Sequence, residues 1–193
     1  MQIKRASVCL VIAVILSSLS HYNPVQANQN IYISQSVWRQ FSDKTGKFAI
    51  LFPGTPDELK QTVKTPVGVL ELKMFVVERQ QESVSYGVGY TEYPSNYAKN
   101  LNQNNILDQV LDHAKNGALK NEKGTLVSQR KISLGKYAGR EIKYSKSGNK
   151  ITVHRIYLVN RRLYQVIVET TKEKEKFLTR SMSGFLDSFQ IYE

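Results

Sequence analysis

The hydrophobic period of this chain switches three times, and that order restricts the folds open to it. From Trp38 to Pro94 apolar residues recur at every second position, the spacing of a β-strand with one buried face. Phe48, Ile50 and Phe52 alternate with Lys47, Ala49 and Leu51. Pro53-Gly54-Thr55-Pro56 ends that strand, because proline brings no N–H to a ladder. Leu59–Lys64 predicts a short strand, and Pro66-Val67-Gly68 turns the chain into a long one, Val69–Arg79. Leu70, Leu72, Met74 and Val76 share one face of it. Gln80-Gln81-Glu82 leads to Ser83–Tyr93, where Tyr86, Val88 and Tyr90 alternate with Gly87 and Gly89. The glycines make room for a neighbouring aromatic ring or a covering helix. Short connections between such strands signal an antiparallel meander.

The step then lengthens. Leu107, Val110, Leu111, Ala114 and Ala118 recur every three or four residues, which predicts an amphipathic helix from Tyr97 or Asn104 to Leu119. Period two returns in Leu126–Leu134, Gly139–Lys146, Lys150–Asn160 and Leu163–Thr170. Their turns fall at Gly135, Ser147-Gly148-Asn149 and Asn160-Arg161-Arg162. A last helix carries the stripe Leu178, Met182, Phe185, Leu186 and Phe189. Thr170 and Glu173 have the spacing of a capping box at its start. Gly184 lies inside this helix, where a close packing contact is one reason for a glycine. Each helix needs a sheet to cover. The expected fold class is therefore α+β: a central antiparallel β-sheet with helices on both faces, over residues 38–193. Two smaller subdomains are the alternative.

The first residues stand outside this pattern. Lys4 and Arg5 precede an apolar run, Ala6–Leu16, too short for a bilayer span of about 20 residues. Val25-Gln26-Ala27 supplies the small residues of a signal-peptidase site. Residues 1–27 are read as a cleaved signal peptide and 28–37 as a flexible leader. The chain's one Cys, Cys9, lies in the apolar run, so the mature chain carries no thiol and no disulfide. The 166 residues left can bury about 70% of their unfolded surface without such a staple.

Several segments together resemble the PsbP-like family. They are the Trp38…Phe48-Ala49-Ile50-Leu51-Phe52-Pro53 opening, the strand end Tyr90-Thr91-Glu92-Tyr93-Pro94, and Tyr137-Ala138-Gly139-Arg140-Glu141. Arg155-Ile156-Tyr157-Leu158-Val159 and the closing Phe185-Leu186-Asp187-Ser188-Phe189 complete the set. The family's type members are lumenal extrinsic subunits of photosystem II. The resemblance implies an α/β/α sandwich and a non-enzymatic accessory or binding role. It names no partner and no site residue here.

Charge is unevenly spread. The chain's formal net charge is +11, yet residues 28–119 hold nine basic and nine acidic residues. Residues 120–162 hold twelve basic residues against Glu122 and Glu141 alone. Strands in this stretch follow one another, so Arg130, Lys131, Arg140, Lys143, Arg161 and Arg162 are the candidate binding patch. An acidic protein partner or an anionic envelope surface fits such a patch. Nucleic acid is excluded by export and by the lack of a nucleic-acid motif. The other reading is an ordinary solvated strand surface.

No catalytic signature accompanies the charge. Gly87-Val88-Gly89 precedes no helix start and is not a dinucleotide loop. No serine sits in a nucleophile elbow. His113, beside Asp112 and about a turn after Asp108, fits a solvated helix face. His154 alternates with Ile156 and Leu158, as a partly buried structural histidine does. No catalytic residue, metal site or cofactor is assigned. The competing functional reading is a periplasmic small-ligand or metal-binding protein with a pocket between sheet and helix.

Overall fold

The computed structural model describes residues 38–65, 68–95 and 104–192. The signal-peptide and leader segments, and the turn at Pro66-Val67, lie outside them. Ten strands and two helices run through the described residues. The strands are β1 (Arg39–Asp43), β2 (Phe48–Phe52), β3 (Asp57–Thr65), β4 (Gly68–Arg79) and β5 (Val84–Glu92). Helix α1 (Asn104–Asn121) follows, then β6 (Thr125–Leu134), β7 (Tyr137–Lys146), β8 (Lys150–Val159) and β9 (Arg162–Thr171). Helix α2 (Lys172–Asp187) and the short β10 (Gln190–Ile191) close the chain.

Seven strands form one antiparallel sheet in the order β3-β4-β5-β9-β8-β7-β6. The first meander, β3 to β5, runs inward from one edge. The chain then passes through α1 to the opposite edge, and the second meander runs back inward. Both meet where β5 pairs β9, from Val84↔Thr170 to Glu92↔Arg162. The fold is thus α+β with an antiparallel sheet between helices, as the alternating periods predict.

One strand departs from expectation. β2 does not join the large sheet. It pairs β1 on one side and β10 on the other, making a three-stranded sheet of its own. Its inner face explains the placement: Phe48, Ile50 and Phe52 are buried against the large sheet and the last helix, while Leu51 on the outer face is exposed. Phe48 sits among Phe41, Phe75, Tyr90, Tyr164 and Phe189 with ring centroids about 6 Å apart. The small sheet and α2 together cover one face of the large sheet, burying Tyr86, Val88, Val166, Met182 and Phe185. Helix α1 covers the other face through Val110, Leu111 and Ala114, against Leu72, Met74, Ile156 and Ile167.

Two local expectations need correction. Thr171 caps α2, not Thr170: its side chain accepts from the Lys174 N–H. Thr170 is still strand, and its hydroxyl donates to the Ser83 carbonyl across the β5–β9 pair. The space at Gly89 belongs to Met74 rather than to an aromatic ring or a helix. A Cβ at Gly89 would come within 2.6 Å of the Met74 side chain.

Candidate functional site

β-strand alternation disperses the six candidate cations. On β6, Arg130 and Lys131 are consecutive and so point to opposite faces. Arg130 lies on the α2 face and donates to both oxygens of Glu141, at 2.6 and 2.9 Å. Lys143, also on that face, reaches Glu175 of α2 at 2.5 Å. Lys131 and Arg140 lie under α1. Arg140 is only 7% exposed and bridges Asp108 at 3.3 Å and Asp112 at 2.9 Å, while Lys131 meets Asp108 at 3.1 Å. The strands neighbour one another as the sequence predicts, but the six cations occupy three places and each has a carboxylate partner. The first acids of α1 are therefore not a purely solvated face. They tie the helix to β6 and β7.

Similar pairing recurs within the layers. Glu141 takes Arg155 as well as Arg130, at 2.7 Å, and Arg155 also donates to Asp187. Burial alone would raise the Glu141 pKa, but these two guanidiniums outweigh it and hold it below the usual carboxylate range. Lys146 stands between Glu122 and Glu169, at 2.6 and 2.5 Å, with all three side chains almost fully buried. Burial opposes the charge on Glu169, and Lys146 and Lys150 again win, so its pKa is lowered.

Arg161 and Arg162 stay together, at one end of the large sheet. The β8–β9 turn places them, with Asn160 in the left-handed region at φ 55°. A backbone bond fixes the turn to β5: the Tyr93 N–H donates to the Arg161 carbonyl at 2.8 Å. Glu92, the last residue of β5, accepts from Arg162 Nε at 2.9 Å and pairs closely with Arg161. The small sheet closes the other wall. The Tyr192 N–H donates to the Lys47 carbonyl at 3.0 Å, and Tyr192 Oη donates to the Asp43 carbonyl at 3.1 Å.

Between these walls is an open cleft of about 410 Å³. Lys47, Arg161 and Arg162 line it against a single acid, Glu92, and Tyr137, Tyr164 and Tyr192 supply aromatic walls. Arg162 is packed, its side chain 19% exposed, with its guanidinium 5.6 Å from the centre of the Tyr90 ring. Burial opposes its charge, but Tyr164 and Glu92 more than offset that, and its pKa is raised. Arg161 is 45% exposed and faces the opening. The arrangement can receive a carboxylate or another anion beside an aromatic surface. Sequence reasoning found Arg161 and Arg162 by charge. It missed Lys47, Glu92 and Tyr192, which no local pattern links to them. A second cleft, about 320 Å³, involves Ser83, Lys150 and Glu169.

The histidines differ from each other. His154 is 2% exposed, more buried than its strand position predicted. Neither ring nitrogen has a hydrogen-bond partner in good geometry. Burial lowers its pKa to about 4, with Gln165, diagonal to it on β9, working the other way. His113 is half-buried on α1. Among the described residues no cluster of three His, Cys, Asp or Glu side chains could hold a metal ion. No helix among them is long and apolar enough to cross a membrane.

Comparison with known proteins now bears on this geometry. No protein-family model matches the chain, and no curated protein matches it in sequence. Structure is more informative. The solution structure of cyanobacterial PsbP (CyanoP) from Synechocystis sp. PCC 6803 superposes with a TM-score of 0.54. It is 13% identical and is matched over 88% of this chain and 100% of its own. The fold is PsbP-like. LpqN of Mycobacterium tuberculosis, involved in cell envelope biogenesis, is also similar, with a TM-score of 0.42 and 12% identity over 81% of this chain and 79% of its own. At such identities the likeness is one of fold. In PsbP-like terms, the arginine cleft lies where the strand ends of the central sheet meet the small sheet that β2 builds.

Proposed function

We propose that the protein is an exported, non-enzymatic accessory module that binds an acidic protein partner, with the strand-end cleft as its principal contact. Export is the reading of residues 1–27, and the accessory role is what the PsbP-like resemblance implies. One observation carries the choice of surface. Arg161 and Lys47 flank an open cleft in which three cations oppose one carboxylate, whereas Lys131 and Arg140 are tied to α1, Lys143 to α2, and Arg130 to Glu141 within the sheet. Those four enlarge the positive field that steers a partner, and the cleft makes the close contact.

The test uses substitutions the fold tolerates. Arg162 is packed on Tyr90 and is left alone. Arg161→Gln removes an exposed charge, and Lys47→Asn keeps a residue that accepts the left-handed φ of 52° at that position. Binding to acidic polypeptide and to envelope extract is measured at low and high salt. The double variant should bind at least ~10-fold more weakly, mainly through slower association, and added salt should weaken the wild type. Binding insensitive to both salt and the substitutions would assign the interaction to another surface. Preference for anionic liposomes over acidic polypeptide would replace the protein partner with a lipid surface.

A further inference from the structure

The seven-stranded sheet ends in β3 on one side and β6 on the other. β6 is ten residues long, pairs β7 alone among the described residues, and is exposed on both faces over most of its length. In an antiparallel ladder every second residue turns its N–H and C=O away from the paired strand. β6 therefore presents a row of main-chain donors and acceptors to solvent. Natural edges are commonly shortened, covered or bulged against such pairing. β6 has one bulge, between Leu126 and Ser128. Past it the register with β7 runs unbroken from Ser128↔Lys143 to Leu134↔Tyr137. That regular stretch is as long as an ordinary strand, so a further strand has room to pair.

The two edges differ in charge. β3 carries Asp57 and Glu58 against Lys60 and Lys64, and Glu58 pairs with Lys60 at 3.2 Å. From Lys123 to Lys136, the stretch that contains β6, the chain adds Arg130 and Lys131 and holds no acid. Glu141 and Asp108 pair with these two side chains, which are still 62% and 74% exposed. Arg130 stands on the α2 face and Lys131 on the α1 face, so one cation flanks each side of the main-chain row. We infer that β6 receives an extended acidic segment of a partner protein as an eighth strand. The segment bonds to the β6 main chain, and Arg130 and Lys131 select its charge. A second copy of this chain is a poor occupant. Full antiparallel overlap of two β6 strands sets Lys131 of each copy diagonal to Arg130 of the other on one face. Moving that register by one residue sets Arg130 against Arg130, and like charges so placed repel. Because side chains alternate, a strand that meets both cations needs acids at two consecutive positions. Ile132, half-buried and next to Arg130 on the same face, favours an apolar residue two positions from the acid opposite Arg130. No β6 residue lines the arginine cleft, and this contact does not rest on that site.

The probe is a short fluorescein-labelled synthetic peptide of alternating valine and threonine with a pair of glutamates at its centre. It is titrated with the purified protein from roughly 1 μM to 1 mM. Saturable binding is expected. Replacing the glutamates by lysines should weaken it at least ~10-fold, and so should the double substitution Arg130→Gln and Lys131→Gln. Both positions are exposed, so the double variant should keep the wild-type circular dichroism spectrum. N-methylation tests the ladder itself. Methyl groups on one alternate set of peptide amides should abolish binding, and on the other set leave it within about 2-fold, because a strand faces its neighbour with every second N–H. Amide hydrogen exchange gives the location: the bound peptide should slow exchange in residues 128–134. No binding up to the highest concentration, or equal binding of the acidic and basic peptides, would overturn the proposal. So would equal tolerance of both methylated sets, or protection confined to the cleft around Arg161. A concentration-dependent dimer that the peptide dissociates would give the edge to a second copy instead.

Discussion

At the scale of single residues, burial sets the chemistry. His154 has the same alternation as Ile156 and Leu158, and the sheet treats it as one of them. Its unfolded-state pKa is 6.5 and its folded value about 4, so the neutral ring is the form the fold accepts. Above pH 6.5 the ring is neutral whether folded or unfolded, and stability is full. As pH falls from 6.5 towards 4 the unfolded chain takes up a proton that the folded chain refuses. Stability should drop by about 1.4 kcal/mol per pH unit across that window, roughly 3 kcal/mol in all. Urea unfolding of wild type and His154→Gln at pH 7, 6 and 5 checks this. The variant's stability should stay nearly flat over that range, and an equal slope in both proteins would place the proton elsewhere. Glu141 and Glu169 do not confuse the reading. Their pKa values are lowered from 4.5, so the stability they contribute is lost only at more acid pH.

At the scale of elements, the periods were legible and the boundaries were set by what each end touches. Seven long strands and α2 stand within about two residues of where alternation and the helical stripe put them, and α1 is described from Asn104, one of its two expected starts, the other, Tyr97, lying outside the described residues. The cap of α2 shows the limit. Thr170 and Thr171 both suit a helix start by composition. Thr170 donates its hydroxyl to Ser83 across the sheet, which leaves Thr171 to accept from Lys174. Thr171→Ala should therefore cost about 1 kcal/mol, the ordinary loss of an N-cap. Chemical denaturation measures it, and a change below about 0.3 kcal/mol would mean the helix start is held by other contacts. The two-residue strand β10 lay below any sequence signal. Two residues show no period, and only the partner β2 makes them a strand.

At the scale of the whole molecule, the layers share side chains. Trp38, the chain's one tryptophan, stands edge-on to Tyr86 of the large sheet at 5.3 Å. Tyr86 in turn packs on Phe185 of α2 at 5.1 Å. The small sheet adds Phe52 to the same ring, 5.2 Å from Phe185. Loss of any layer exposes the others, so unfolding should be a single cooperative transition. Tryptophan fluorescence, which reports the layer around Trp38, and far-ultraviolet circular dichroism, which reports all the strands, should give superimposable urea curves. Separated midpoints would show that the small sheet melts on its own.

The sequence by itself determined which side chains share a face, because strand and helix periods are local properties of the backbone. It determined that two helices must cover a sheet, and that basic residues gather between 120 and 162. It could not decide pairing. Whether β2 joins the large sheet or builds another depends on contacts with β10, about 140 residues away, and no local period encodes them. The same holds for the site. Twelve basic residues in one stretch read as one patch, but consecutive strand residues face opposite ways, and the acids that meet them come from α1 and the turn after it, α2, β5, β7 and β9. Only the folded chain brings Lys47 and Tyr192 up to Arg161, because a cleft is made where elements distant in sequence end side by side.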